Sequence, residues 1–164
     1  MLGWWAGKVR QTWRHLTGRV SDAERTALAS WLTPPQLALF TSMHRADQRH
    51  GLDVVAALRT AGHADPDLLL AGLFHDAAKG PSVHLVHRVA WSLGERYGAW
   101  LWRLAAGLPG FGPALERIRR HPERSAELAL AAGCPERTAD LIRHQARPAD
   151  PVLGAALLQA DQAS

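Results

Sequence analysis

Residues 68–80 read LLLAGLFHDAAKG, an apolar run that ends in a histidine, an aspartate and, three residues on, a lysine. From Leu68 to Phe74 no residue is polar, which predicts a helix buried on nearly every side. His75 and Asp76 then lie at the inner end of a core element. A carboxylate in that position needs a cation, a cluster of donors or a metal, because an unpaired buried charge is too costly to keep.

Outward from this stretch the chain reads as helices and little else. Leu2, Trp5, Val9, Trp13, Leu16 and Val20 recur at three- and four-residue steps, which predicts an amphipathic helix with a Trp-rich face. Ser21-Asp22-Ala23-Glu24 matches a capping box opening a second helix, which Pro34-Pro35 ends or interrupts. Further helices are expected at about 45–61, 66–78, 82–106, 113–132, 135–146 and 150–162, with Gly62, Gly80, Gly107 and Gly133 as stops. No strand-like alternation competes. The expected fold is a single all-α bundle.

Composition bounds the function. With 164 residues, 47% of them hydrophobic, the chain can bury one substantial core and is too short for two. A single cysteine, Cys134, excludes an internal disulfide and suits a reducing compartment. The formal net charge of +4 and the pI near 10.2 favour anionic partners without naming one. No stretch approaches the ~18 apolar residues of a membrane span. The opening MLGWWAGKVR meets Lys8 after too short an apolar run for a signal peptide, so a cytoplasmic location is expected.

Other residues are placed to meet His75 and Asp76. His50 falls in register with Val54, Ala57 and Ala61 on the buried face of its helix, and Asp161 follows Leu157 and Leu158 on another apolar face. His121 sits three residues after Ile118 and directly before Pro122; proline favours the first position of a helix, so His121 is expected at a cap where the helix breaks and restarts. His144 follows Leu141 near the end of the next helix. Six ligand-type groups therefore come from five helices. Imidazoles and carboxylates together suit Mn, Fe or Zn, whereas Mg or Ca alone would prefer oxygen ligands throughout. His84 and His87, three apart on a predicted helix, are read as surface or supporting residues, and nothing argues for His15, His44 or His63.

The order His50, His75-Asp76, His121, His144, Asp161 resembles the HD-domain metal-dependent phosphohydrolases, whose signature is H, then HD, then a distant D, with two further histidines when a second metal is bound. LFHDAAKG resembles that family's apolar-HD-x-x-K segment. RHPERSAELALAAGCPERTADLIRHQ is similar to the segment holding the third and fourth histidines in the branches with cyclic-dinucleotide phosphodiesterases and HD-type diadenosine tetraphosphate hydrolases. The resemblance runs from about Met43 to the C-terminus. It implies an HD-type bundle over residues 43–164, with 1–42 as an N-terminal helical elaboration packed on it. It also implies a first metal on His50, His75, Asp76 and Asp161, and a second on His121 and His144 with Asp76 bridging. Gln145 stands where the cyclic di-GMP-specific branch has a second consecutive histidine, and that branch's glycine-tyrosine-proline motif is absent; neither its substrate nor a third metal is implied.

The chemistry that follows is phosphoester or phosphoanhydride hydrolysis. Two metals about 3.5 to 4 Å apart can share a hydroxide and clamp phosphoryl oxygens during in-line attack. Asp76 is the expected bridging group, and Lys79, three residues on, is expected to reach a phosphate oxygen. Arg117, Arg120, Arg124, Arg143 and Arg147 flank His121 and His144, and one or two of them are expected to grip an anionic substrate. The expected cofactor is one or two divalent transition metals, Mn or Fe ahead of Zn, Co, Ni or Mg. A nucleotide or dinucleotide substrate is favoured over nucleic acid. Two other readings stand beside this one: a non-catalytic HD-fold module that senses a nucleotide or docks a partner, and, more weakly, a di-iron oxygenase on the same scaffold. The Trp-rich N-terminal stripe is read as core packing ahead of peripheral membrane contact.

Overall fold

A computed structural model describes residues 19–80, 83 and 85–164. Among them there are nine helices and no strand, an all-α single-domain fold. They are α1 (Asp22–Ala29), α2 (Pro34–Ser42), α3 (Arg45–Thr60), α4 (Pro66–Phe74), α5 (Leu85–Tyr97), α6 (Trp100–Ala106), α7 (Phe111–Ala131), α8 (Glu136–Arg143) and α9 (Leu153–Ala163).

The centre is α4. Asp65 caps it, its carboxylate accepting from the Asp67 and Leu68 main-chain N–H groups, and every residue from Leu68 to Phe74 is buried. Helices α3, α8 and α9 pack around it, with Phe40, Val54, Leu58, Ile142 and Leu157 closing the core. The approach of α3 to α4 depends on two glycines. A Cβ on Gly51 would stand 2.5 Å from the Leu73 carbonyl oxygen, and one on Gly72 would stand 3.0 Å from Leu58 Cδ1. This contact sets His50 on α3 beside His75 at the end of α4.

Several predicted boundaries move, each for a visible reason. Helix α4 stops at Phe74 instead of running to 78: Ala77 N–H bonds back to Phe74 O and Lys79 N–H to Asp76 O, tighter three-residue steps that lead to Gly80 at φ +69°. His75 and Asp76 therefore occupy the turn that leaves the core. The single helix expected at 82–106 is two, joined at Gly98 with φ +117°. Gly94 leaves room for the Trp102 indole, which stacks on Trp91 and donates to its carbonyl. Pro34-Pro35 starts α2, with Thr33 and Gln36 forming a capping box. The capping box at Ser21 and Glu24 is as expected. The stripe from Leu2 to Leu16 lies outside the described residues, while Val20 packs against the core.

The largest correction concerns α7. It runs unbroken from Phe111 to Ala131 with Pro122 inside it, so His121 is in mid-helix and not at a cap. Proline lacks the N–H that would have bonded to the Ile118 carbonyl. The His121 Nδ1–H donates to that carbonyl instead.

Candidate metal centre

Four elements converge on one point. His50 comes from α3, His75 and Asp76 from the turn after α4, His121 from α7 and Asp161 from the last turn of α9. His75 and Asp76 are each 1% exposed. The donor atoms of His50, His75 and Asp76 lie within 4.8 Å of one another, a group able to hold a metal ion. Asp161 Oδ1 bridges the two imidazoles, 2.8 Å from His50 Nε2 and 3.4 Å from His75 Nε2. On the other side, His121 Nε2 is 3.3 Å from Asp76 Oδ1.

The orientation of the rings is set from behind. His75 Nδ1–H donates to Gly72 O at 2.9 Å, which leaves Nε2 facing Asp76 Oδ1 at 3.6 Å. Both of these atoms are buried and neither has a hydrogen-bond partner among the described residues. A nitrogen lone pair and a carboxylate oxygen cannot be left facing each other in a dry site without a proton or a cation between them. This donor set fits a divalent metal: mixed nitrogen and oxygen donors, aimed inward, with the His75 and His121 rings fixed by main-chain acceptors.

Electrostatics follow from the same packing. Burial disfavours the charged form of His75, but Asp76 and Asp161 overcome it and raise the pKa to about 9. Burial would raise Asp76 as well; Lys79 first, then His75 and His121, hold it well below the ordinary carboxylate range. For Asp161 burial is likewise outweighed by His50 and His75, and the group is held low. Lys79 Nζ is in direct contact with Asp76 Oδ2.

His144 stands apart from the other five. It is exposed, its Nδ1–H donates to Asp140 O at 2.9 Å, and it makes no hydrogen bond or ion pair to the other five groups. The five arginines also separate. Arg120 pairs with Glu116, and Arg143 with Asp140 and Glu136, all at the surface. Arg117, Arg124 and Arg147 are exposed and in no ion pair among the described residues; the Arg117 guanidinium lies beside Gly80, 3.2 Å from where a Cβ would stand.

Three supporting residues escape a reading of the sequence. Gln145 Nε2, just past the end of α8, donates to His75 O at 3.1 Å and fixes the main chain there. Ser125, fully buried on α7, accepts from Ala78 N–H and holds the turn that carries Asp76. Asp47, one turn before His50, is 1% exposed and paired with Arg88 of α5 at 2.7 Å. The available signal was Gln145 beside His144, a polar residue close to a candidate ligand. No known protein family, curated protein or solved structure matches this chain. Function has to be argued from the site.

Proposed function

We propose that this chain is a divalent-metal-dependent phosphohydrolase of the HD type, cleaving a phosphoester or phosphoanhydride of a nucleotide or dinucleotide. One observation carries the metal: the buried, unpartnered His75 Nε2 and Asp76 Oδ1, which face each other inside a ring completed by His50 and Asp161. A cation held by these four groups would act as a Lewis acid toward a phosphoryl oxygen and lower the pKa of a water molecule. Mn and Fe suit the donor set best, then Zn.

The chain's own residues would do the rest. Lys79, held on Asp76, keeps a positive charge at the edge of the site, where a phosphate oxygen would approach. Arg117 is near the same turn, and Arg124 and Arg147 make no ion pair among the described residues, so these three are favoured over Arg120 and Arg143 for gripping further phosphates. His121 Nε2, 3.3 Å from Asp76 Oδ1, would supply a hydrogen bond or a donor for a second cation there. The exposed position of His144 favours a mononuclear site.

The test is a hydrolysis panel with Mn- and Fe-loaded protein across nucleoside mono-, di- and triphosphates, cyclic nucleotides, cyclic dinucleotides, diadenosine polyphosphates, single-stranded nucleic acid and a simple phosphomonoester. Cleavage of nucleotides faster than of the monoester is expected, and Asp76→Asn should lose both bound metal and turnover. Loss of the Arg124 or Arg147 charge should raise KM more than it lowers kcat. Silence across the panel would favour the binding module. Iron-dependent O₂ consumption without phosphatase activity would favour the oxygenase.

A further inference from the structure

The Asp47–Arg88 pair differs from the other ion pairs of the described residues. Outside the metal centre, every other pair has both side chains at least 19% exposed, whereas Asp47 is 1% exposed. Its Oδ1 lies 2.7 Å from Arg88 Nη2, and its Oδ2 is buried with no hydrogen-bond partner among the described residues. A buried pair with one oxygen left over is a poor source of stability. Removing two charges from water offsets most of what their attraction returns, and two apolar side chains of similar volume would hold the helices as well. The place of the pair in the fold gives it another use.

Asp47 lies on α3 three residues before His50, so the two share one face of that helix. Arg88 lies on α5 and reaches two partners. Besides pairing with Asp47, its Nε donates to the Val83 carbonyl at 3.5 Å. Val83 is buried, and its N–H donates to Gly80 O at 3.4 Å. Gly80 closes the turn that carries His75, Asp76 and Lys79. One guanidinium therefore spans from the helix of His50 to the chain that leaves the turn of Asp76. The approach of Gly51 to Leu73 is the complementary contact between the same two parts of the chain. In sequence His50 lies between Asp47 and Gly51, and His75 and Asp76 lie between Leu73 and Val83, so the two contacts bracket all three donors.

We propose, resting on the metal reading of the site and not on its reaction, that Arg88 is a positioning residue of the metal centre: it holds the helix of His50 and the exit of the His75–Asp76 turn at the separation a metal ion needs. A planar guanidinium suits this role. Its nitrogens are fixed relative to one another, so a carboxylate and a carbonyl bonded to the same fork cannot drift apart independently. A lysine ammonium on a flexible stem imposes no such constraint. Arg88 makes no hydrogen bond or ion pair to the five converging groups and acts through α3 and Val83.

The test measures two quantities on the full chain, the Kd for Mn and the Tm in chelator, in a double variant combining Asp47→Leu with Arg88→Met. These apolar side chains replace the pair at similar volume, so the Tm in chelator should stay close to that of the wild type. The Mn Kd should nevertheless rise about tenfold to a hundredfold, as it does when supporting contacts of metal ligands are lost. A role in stability alone gives the reverse, a changed Tm with an unchanged Kd. Arg88→Lys keeps a cation against Asp47 without the fork; its Mn Kd should rise at least about tenfold, and it decides the matter should the double variant lose stability. A folded variant of either kind whose Mn Kd equals that of the wild type overturns the proposal. Wild-type protein that binds none of Mn, Fe and Zn overturns the metal reading itself, and the wild-type titration alone tells that result from the other.

Discussion

His75, His121 and His144 each use Nδ1 on a main-chain carbonyl three or four residues back, at Gly72, Ile118 and Asp140. This one habit fixes the tautomer and leaves Nε2 outward, but only the first two point at Asp76. Helical register cannot distinguish them, because the difference is burial: His75 is buried and His144 exposed. A proton on His75 is the metal-free solution to its two carboxylate neighbours. Its folded pKa of about 9 lies above the ordinary 6.5, so the stabilisation it contributes is complete below about pH 6.5 and lost as pH rises through about 9. Chelator-treated protein should therefore show a falling Tm across that window. A bound metal would take the place of the proton, so the Mn-loaded protein should not show that fall and metal affinity should gain with pH. A flat Tm between pH 6.5 and 9 in the chelated protein would contradict the proton assignment.

At the scale of elements, two positions link helix geometry to the site. Pro122 is the reason that the Ile118 carbonyl is available to His121. Pro122→Ala should return an N–H to that carbonyl and raise stability by up to about 3 kcal/mol, while releasing the imidazole and cutting metal affinity or turnover by about tenfold or more, as lost supporting contacts do. Denaturant unfolding and activity on the same preparation would check both, and a variant no worse in function would remove His121 from the site. Gly51→Ala should have the opposite effect on stability. Its Cβ would meet the Leu73 carbonyl at 2.5 Å, main chain that cannot swing aside, so it should destabilise by roughly 1–3 kcal/mol and separate His50 from His75. The helical pattern and the placement of His50, His75, Asp76 and Asp161 were legible because periodicity reports which face is buried. Pro122 in mid-helix was not, since local preference for a helix start was overridden by α7 packing against α8. The contacts made by Gln145 and Ser125 were illegible for another reason: each acts on the main chain of a residue 47 to 70 positions away, and no sequence spacing records such a contact.

For the whole molecule, the site is a staple between distant parts of the chain. Asp161, in the last turn of α9, reaches His50 across 111 residues, and its side chain is still 36% exposed. Helix termini fray, and α9 ends within a few residues of Asp161. A cation shared by α3, α4 and α9 should therefore stabilise the folded state globally and α9 most of all. At a free metal concentration about a thousandfold above Kd the gain is about 4 kcal/mol, which for a chain of this length corresponds to a Tm increase of about 8–16 °C. Hydrogen exchange should localise it: amides of α9 should slow on addition of Mn, whereas those of α6, which carries none of the five converging groups, should not change. The control is Asp161→Asn, which keeps the shape of the side chain and removes its charge, and should abolish the difference in α9 while sparing the core amides of α4. Protection that rose equally in α6 and α9 would mean that metal acts on the fold in general. Protection of α4 without α9 would mean that Asp161 is a neighbour of the site and not a ligand.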